Sequence, residues 1–222
     1  MAKVNQHKRV NDILLGPLER PALRWLAAHM PDWVTPDMCT AVGIAGALIT
    51  FAGYLLSNLH PGFLWLASFG FIVNWFGDSL DGTLARYRRI ERPMYGYFVD
   101  HTTDAISQVI IAMGLGLTPY VSFDMACLLV IAYLMLSIMV YLRTYVVGEF
   151  KISYGGLGPT ESRVIAVLLN TGMYFFGIQY LTLYQITFSP YDVLVAALAV
   201  LLFSFFFNTA INETRRLASL GE

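Results

Sequence analysis

The sequence predicts an all-α integral membrane protein, six transmembrane helices preceded by an interfacial amphipathic N-terminal helix. Three observations carry that expectation. Of the 222 residues, 57% are hydrophobic and only 13% charged, with a mean hydropathy of +0.59, which is too apolar for a soluble domain of this size. Several apolar stretches reach the roughly 20 residues that a helix needs to cross hydrocarbon, far longer than the roughly 10-residue alternating segments of a membrane barrel. The basic residues also segregate to one side once these stretches are threaded as six spans.

Residues 1–36 are read as the interfacial segment. Between residues 5 and 30, Leu14, Leu15, Leu18, Leu23, Trp25 and Leu26 make apolar faces with Arg9, Arg20 and Arg24 among them. That is the pattern of one or two helices lying in a membrane interface. Lys3, Lys8 and Arg9 precede an apolar run that Pro17, Glu19, Arg20 and Pro21 interrupt, so no secretory signal is visible and the first insertion signal is expected to be retained. Pro31 and Pro36 break the helix.

The core is read over residues 37–217. Asp37 opens a first span over 37–58, on which Gly43, Gly46, Ala47 and Gly53 form a small-residue face suited to close packing. A turn at 60–62 leads to a second span over 63–88, polar in its later half, and a third over 94–117, polar in its first half. Spans four to six, over 123–147, 162–184 and 191–215, are more uniformly apolar. No internal repeat or linker divides the chain, which reads as one domain over 1–222. Cys39 and Cys127 lie in apolar segments and read as packing residues.

The formal net charge of −1 conceals a strong asymmetry. Six spans put both termini on one side, with the connections after spans two and four. Every Lys and Arg falls there: Lys3, Lys8, Arg9, Arg20, Arg24, Arg86, Arg88, Arg89, Arg92, Arg143, Lys151, Arg163, Arg215 and Arg216. The connections near His60, Tyr120 and Pro190 have none, so the basic side is expected to be cytoplasmic.

Four acids occupy positions where acids are expensive: Asp78 and Asp81 late in span two, Asp100 and Asp104 early in span three. Each pair is three or four residues apart and shares a helix face. The two spans are consecutive and antiparallel, so the pairs can converge at the cytoplasmic mouth. No Lys or Arg lies within either stretch to offset them, and converging carboxylates repel in low dielectric. A divalent cation resolves the repulsion. Oxygen-only ligands point to Mg²⁺ or a similarly hard ion such as Mn²⁺, and four carboxylates suit two ions of the kind that support in-line displacement at phosphorus. Gly82 and Ala85 continue the Asp78 face, and Gly96 lies one turn before Asp100, leaving room for a bulky ligand; Arg86 can clamp a diphosphate.

The run D-x2-D-G-x2-A-R-x9-G-x3-D-x3-D over residues 78–104 resembles the signature of the CDP-alcohol phosphotransferase family, with all eight fixed positions present. The resemblance implies transfer of a substituted phosphate from a CDP-linked donor to an alcohol, with release of CMP, in phospholipid synthesis. The donor it implies is CDP-diacylglycerol or a CDP-aminoalcohol, and it further implies two divalent ions, a homodimer and no nucleic-acid partner. By that likeness Asp78, Asp81 and Asp100 are metal ligands, and Asp104 touches metal and serves as general base. Gly82, Ala85 and Gly96 then line the nucleotide site, and Asp37 and Thr40 resemble positions that contact the nucleotide.

Glu161 and Arg163, after Gly158 and Pro159, are candidates for orienting an acceptor or head group, as is Arg143, although Glu161 suits a helix-start role equally well. His101 points about 100 degrees from Asp100 on an ideal helix and is expected to support the ligating acids from behind or to pack, rather than to ligate. Asn74, Asn170, Asn208 and Asn212 read as interhelical hydrogen-bonding groups. The alternative to an enzyme is an ion- or proton-coupled transporter using the same acids, which needs polar groups continuing across the bilayer.

Overall fold

The computed structural model describes residues 8–10, 14–151, 158–183 and 186–220. Seven helices dominate them: α1 (Gly16–His29), α2 (Pro36–Leu56), α3 (Phe63–Arg88), α4 (Pro93–Gly116), α5 (Phe123–Val147), α6 (Pro159–Phe176) and α7 (Pro190–Ser219). Local chemistry sets their starts. The Thr35 hydroxyl accepts from the Met38 amide at 3.2 Å and Pro36 fills the first position of α2, while Ser189 and Pro190 do the same for α7. Two short pairings accompany the helices: β1 (Lys8–Val10) runs parallel to β2 (Glu149–Lys151), and β3 (Leu181–Leu183) antiparallel to β4 (Ile186–Phe188).

Four helices, α2, α3, α5 and α7, are long and apolar enough to cross a membrane. The polar first halves of α4 and α6 keep them below that measure. The span expected over 162–184 is shorter than its apolar run: α6 ends at Phe176, where Gly177 takes a positive φ of 67°, and the chain continues into the β3–β4 hairpin. Only a residue without a Cβ adopts that backbone cheaply, so the helix stops despite the apolar residues beyond it.

The small-residue face expected on the first span is the tightest contact in the molecule. A methyl group added at Gly46 would overlap the Asn74 backbone, one at Gly77 the Gly43 backbone, and one at Gly53 the Ala67 backbone. α2 and α3 therefore touch main chain to main chain, where dispersion and short polar contacts replace the missing side chains. Asn74 donates to the Gly43 carbonyl at 2.9 Å and the Thr50 hydroxyl to the Gly46 and Ala67 carbonyls at 3.0 and 3.3 Å.

Around this pair the remaining helices divide the work. The main apolar core lies towards the end with the 57–62 and 117–122 connections, where Tyr54, Leu64, Phe71, Leu115, Tyr120, Met173 and Val195 meet. At the other end Ala27 of α1, Cys39, Leu80 and Leu84 make a smaller cluster, which confirms Cys39 as a packing residue. Leu23 and Ala27 bury one face of α1, while Leu18 and Trp25 remain exposed on the other. Arg88 closes the connection between α1 and α2 by donating to the carbonyls of Met30 and Pro31 at 3.0 and 2.8 Å.

Candidate active site

Antiparallel α3 and α4 bring the late residues of one beside the early residues of the other, and a cavity of about 1390 Å³ opens between them. Asp78, Asp81, Asp100 and Asp104 all line it, as do Gly82, Ala85, Arg86, Gly96, Asp37, Thr40 and Arg163. Glu161 and Arg143 do not.

Each pair of acids shares a helix face, as its spacing requires. Asp78 and Asp104, on the two helices, both border this cavity and the small pocket beside it. Carboxylates gathered there repel unless a proton or a cation lies between them. Asp100, His101 and Asp104 offer ligand atoms that all lie within 4.8 Å of one another. These oxygen atoms, with one ring nitrogen, fit a hard divalent cation. Asp81 accepts from the Thr40 hydroxyl at 2.6 Å and from its neighbour Gly82's amide, so the Thr40 of α2 is tied directly to the acid set.

No Lys or Arg lies within either acid stretch, but α6 supplies a cationic partner from a distance. Arg163 of α6, only 8% exposed, donates from Nη2 to Asp78 Oδ2 at 2.6 Å and from Nε to Asn74 Oδ1 at 2.9 Å. The sequence separation of 85 residues hides this contact from any local reading. His101 also does more than its helical angle suggests. Its Nδ1 is 3.4 Å from Asp100 Oδ2, its ring stacks on Tyr141 at 4.9 Å between centroids, and Tyr97 meets it edge-on.

The arginines separate by what they touch. Among the described residues Arg86 makes one hydrogen bond, to Thr83 at 3.2 Å on its own helix, and its guanidinium borders the cavity. Arg92 pairs with both oxygens of Asp37 at 2.6 and 2.8 Å and lies 4.0 Å over the Tyr95 ring. That exposed pair holds the Arg92 guanidinium above its usual pKa, chiefly through the hydrogen bond to Asp37. Arg143 pairs with Glu213 of α7 at 2.9 Å, away from the cavity. Glu161 accepts from the Leu15 amide at 2.8 Å and from the Gly158 amide at 2.9 Å, both of its oxygens serving the α6 start and the approach to α1.

The glycines differ too. A methyl group on Gly82 would meet the Arg86 guanidinium at 3.2 Å, whereas nothing lies within 4 Å of one on Gly96, so open space beside α4 adjoins Asp100. Sequence reasoning missed Glu19 of α1. It lines the cavity and its Oε1 accepts from Trp75 Nε1 at 2.8 Å, Ser79 Oγ at 3.2 Å and Thr160 Oγ1 at 2.9 Å, stitching α1 to α3 and α6. An acid on a short amphipathic helix carries no local signal of such a role. Tyr133 and Tyr141 of α5, which sequence reasoning did not single out, also stand in the wall.

Comparison with known proteins gives the site its context. The model of the CDP-alcohol phosphatidyltransferase family matches residues 33–211, most of α2 through α7 and well beyond the acid motif. The chain is 25% identical over 166 residues to cholinephosphotransferase 1 of Danio rerio, covering 70% of this chain and 42% of the relative. It is 26% identical over 183 residues to cholinephosphotransferase 1 of Gallus gallus, covering 76% and 52%. To archaetidylinositol phosphate synthase of Methanothermobacter thermautotrophicus it is 34% identical over 108 residues, covering 48% and 52%. The chain spans about half the length of the curated relatives it matches. With the family pattern extending over six of the seven described helices and the motif residues gathered on one cavity, this chain belongs to the CDP-alcohol phosphatidyltransferase family.

Proposed function

We propose that this chain is a metal-dependent CDP-alcohol phosphotransferase of phospholipid synthesis, moving a substituted phosphate group from a CDP-linked donor to an alcohol hydroxyl and releasing CMP. The observation that carries the reading is the meeting of Asp78, Asp81, Asp100 and Asp104 on one cavity whose wall also holds Gly82, Ala85, Arg86 and Gly96. The four aspartates would hold two divalent ions, Mg²⁺ or Mn²⁺. Bound there, such ions supply charge neutralisation for the diphosphate and the departing CMP. Arg86 offers a planar guanidinium to a diphosphate oxygen. Open space beside Gly96 admits the nucleotide. Asp37 and Thr40 border it from α2. Asp104 accepts the proton of the acceptor hydroxyl.

A second reading of the proton acceptor rests on His101, whose ring is held against Tyr141 and beside Asp100 in the same wall. Asp104→Asn and His101→Gln, assayed for CMP release and for metal binding, separate the two. The base is the residue whose loss still removes turnover when the metal is raised to saturation.

The relatives divide on substrates. The cholinephosphotransferases match a larger share of this chain than the archaetidylinositol phosphate synthase does, so a CDP-aminoalcohol with a lipid alcohol is the first pair to assay. CDP-diacylglycerol with small polar alcohols is the second. A screen of purified protein over both sets, scored by CMP and by the mass of the lipid product, tests the function. No CMP from any pair, alongside ion flux in liposomes, would overturn it in favour of the transporter. Against that alternative, polar groups beyond the acids are bonded among themselves: the Tyr54 hydroxyl to Asn170 at 2.9 Å and Asn170 to Ser68 at 3.2 Å.

Six crossings belong to this reading. α4 has 24 residues and α6 has 18, about 36 and 27 Å at 1.5 Å per residue; both lengths lie within the roughly 17–25 residues of membrane-crossing helices, α6 near the short limit. The segregation of Lys and Arg supports a cytoplasmic side for both termini and the cavity mouth. The exposed Leu18 and Trp25 let α1 lie in the interface among membrane lipids. A homodimer is the expected assembly.

A further inference from the structure

Arg163 is built into the fold more firmly than a substrate-binding arginine needs to be. Its Nε is anchored on Asn74 at 2.9 Å, and Asn74 is anchored in turn on the Gly43 carbonyl at 2.9 Å, inside the main-chain contact of α2 with α3. From that fixed base, Nη2 reaches Asp78 Oδ2 at 2.6 Å. The partner is an acid that lines the same two pockets as Asp104. A half-buried acid cluster is destabilising unless something positive lies beside it, and a guanidinium fixed at one edge offsets part of that charge at all accessible pH. A cation arriving at Asp78 meets a like charge already there, so the arginine and the metal compete for one carboxylate.

Resting on the reading of the four aspartates as metal ligands, we propose that Arg163 is the site's internal counter-cation. It occupies Asp78 while metal is absent and gives up the Nη2 bond, keeping its Asn74 anchor, when a divalent ion takes that oxygen. The acid cluster thereby folds without metal, and it binds metal less tightly than it would without the arginine. Arg163 is thus a positioning residue, acting through Asp78.

The test is thermal melting of the full chain in detergent, in EDTA and across a Mg²⁺ titration, for the parent and for Arg163→Gln. The glutamine keeps an amide donor for Asn74 and removes the charge. In EDTA the variant is expected to melt about 5–10 °C lower, as for a buried pair that loses one member. Its upshift on adding Mg²⁺ should exceed the parent's, with a half-saturating concentration about tenfold lower. Adding Asp78→Asn should restore melting in EDTA towards the parent's. If Arg163→Gln alone cannot be recovered from membranes, recovery of Asp78→Asn/Arg163→Gln supports the proposal and failure of both overturns it. Parental melting of Arg163→Gln in EDTA overturns it. So does a loss equal in EDTA and Mg²⁺ that Asp78→Asn leaves uncorrected, the mark of a packing role. A parent whose melting ignores Mg²⁺ overturns the metal-ligand reading and the exchange together, whereas an unchanged half-saturation in a responsive parent overturns the exchange alone.

Discussion

Asp192 and Asp81 are buried alike, 8% and 9% exposed, at opposite ends of the bundle, and they have opposite surroundings. Asp192 Oδ1 accepts from the Ser122 amide and hydroxyl at 2.7 and 3.0 Å, and Oδ2 from the Ser189 amide at 2.8 Å. Both of its oxygens are filled by a helix start and a neighbouring turn. Asp81 borders an open cavity with Asp78, Asp100 and Asp104, and Thr40 and its own neighbouring amide are its donors. Burial alone therefore does not mark an acid for chemistry. An acid supplied with its own donors holds the fold together, and acids that face one another across a cavity are arranged for a cation that arrives from outside. Glu161 and Arg163 repeat the lesson two residues apart, the first consumed by backbone amides and the second aimed into the acid set.

Substitutions at the two ends should accordingly fail in different ways. The largest effect is expected from Asp104→Asn, which should lower CMP release by about 10²–10⁴-fold, the range for loss of a general base, while the protein inserts and melts like the parent. Full turnover would remove Asp104 from its role. Asp192→Ala should instead cost about 2–3 kcal/mol of stability, since it strands amides at a buried helix start, with the same loss in EDTA and in Mg²⁺. A Mg²⁺-dependent loss there would erase the distinction between the ends. Arg86→Ala should raise the donor KM about tenfold, the scale of one charge-assisted hydrogen bond, and leave stability unchanged. Breaking the exposed Arg92–Asp37 pair with Arg92→Gln should change CMP release by less than about fivefold, since such pairs contribute little in water.

Much of this arrangement is legible in the sequence because it depends on short-range geometry. Helical spacing alone puts Asp78 with Asp81 and Asp100 with Asp104, and the short connection between their helices brings the pairs to one mouth. The glycines of α2 announce the tight crossing for the same reason. Contacts between distant segments are not encoded in this way. Nothing near residue 163 shows that its guanidinium ends on Asp78, and nothing in α1 shows that Glu19 collects donors from α3 and α6. The early end of α6 escaped because an apolar run was read as a continuous span, while a single backbone angle at Gly177 redirects the chain. Asn74 and Asn170 do bond between helices, but Asn212 donates to Asn208 within α7 at 2.7 Å. An i, i+4 spacing permits either outcome.

The main-chain contact between α2 and α3 also limits how the cavity can move. With no side chains at Gly43, Gly46 and Gly77 to rearrange, the two helices form a single stiff jaw carrying Thr40, Asp78 and Asp81. α4 packs against Phe51 and Tyr54 near Gly114, and at its other end His101 stacks on Tyr141 of α5. Its acids are therefore held from behind by α5 while they face the jaw across the cavity. An ion bound between the two would tie both helices to one set of oxygens, so the grip on a substrate and the grip on the metal would share one frame.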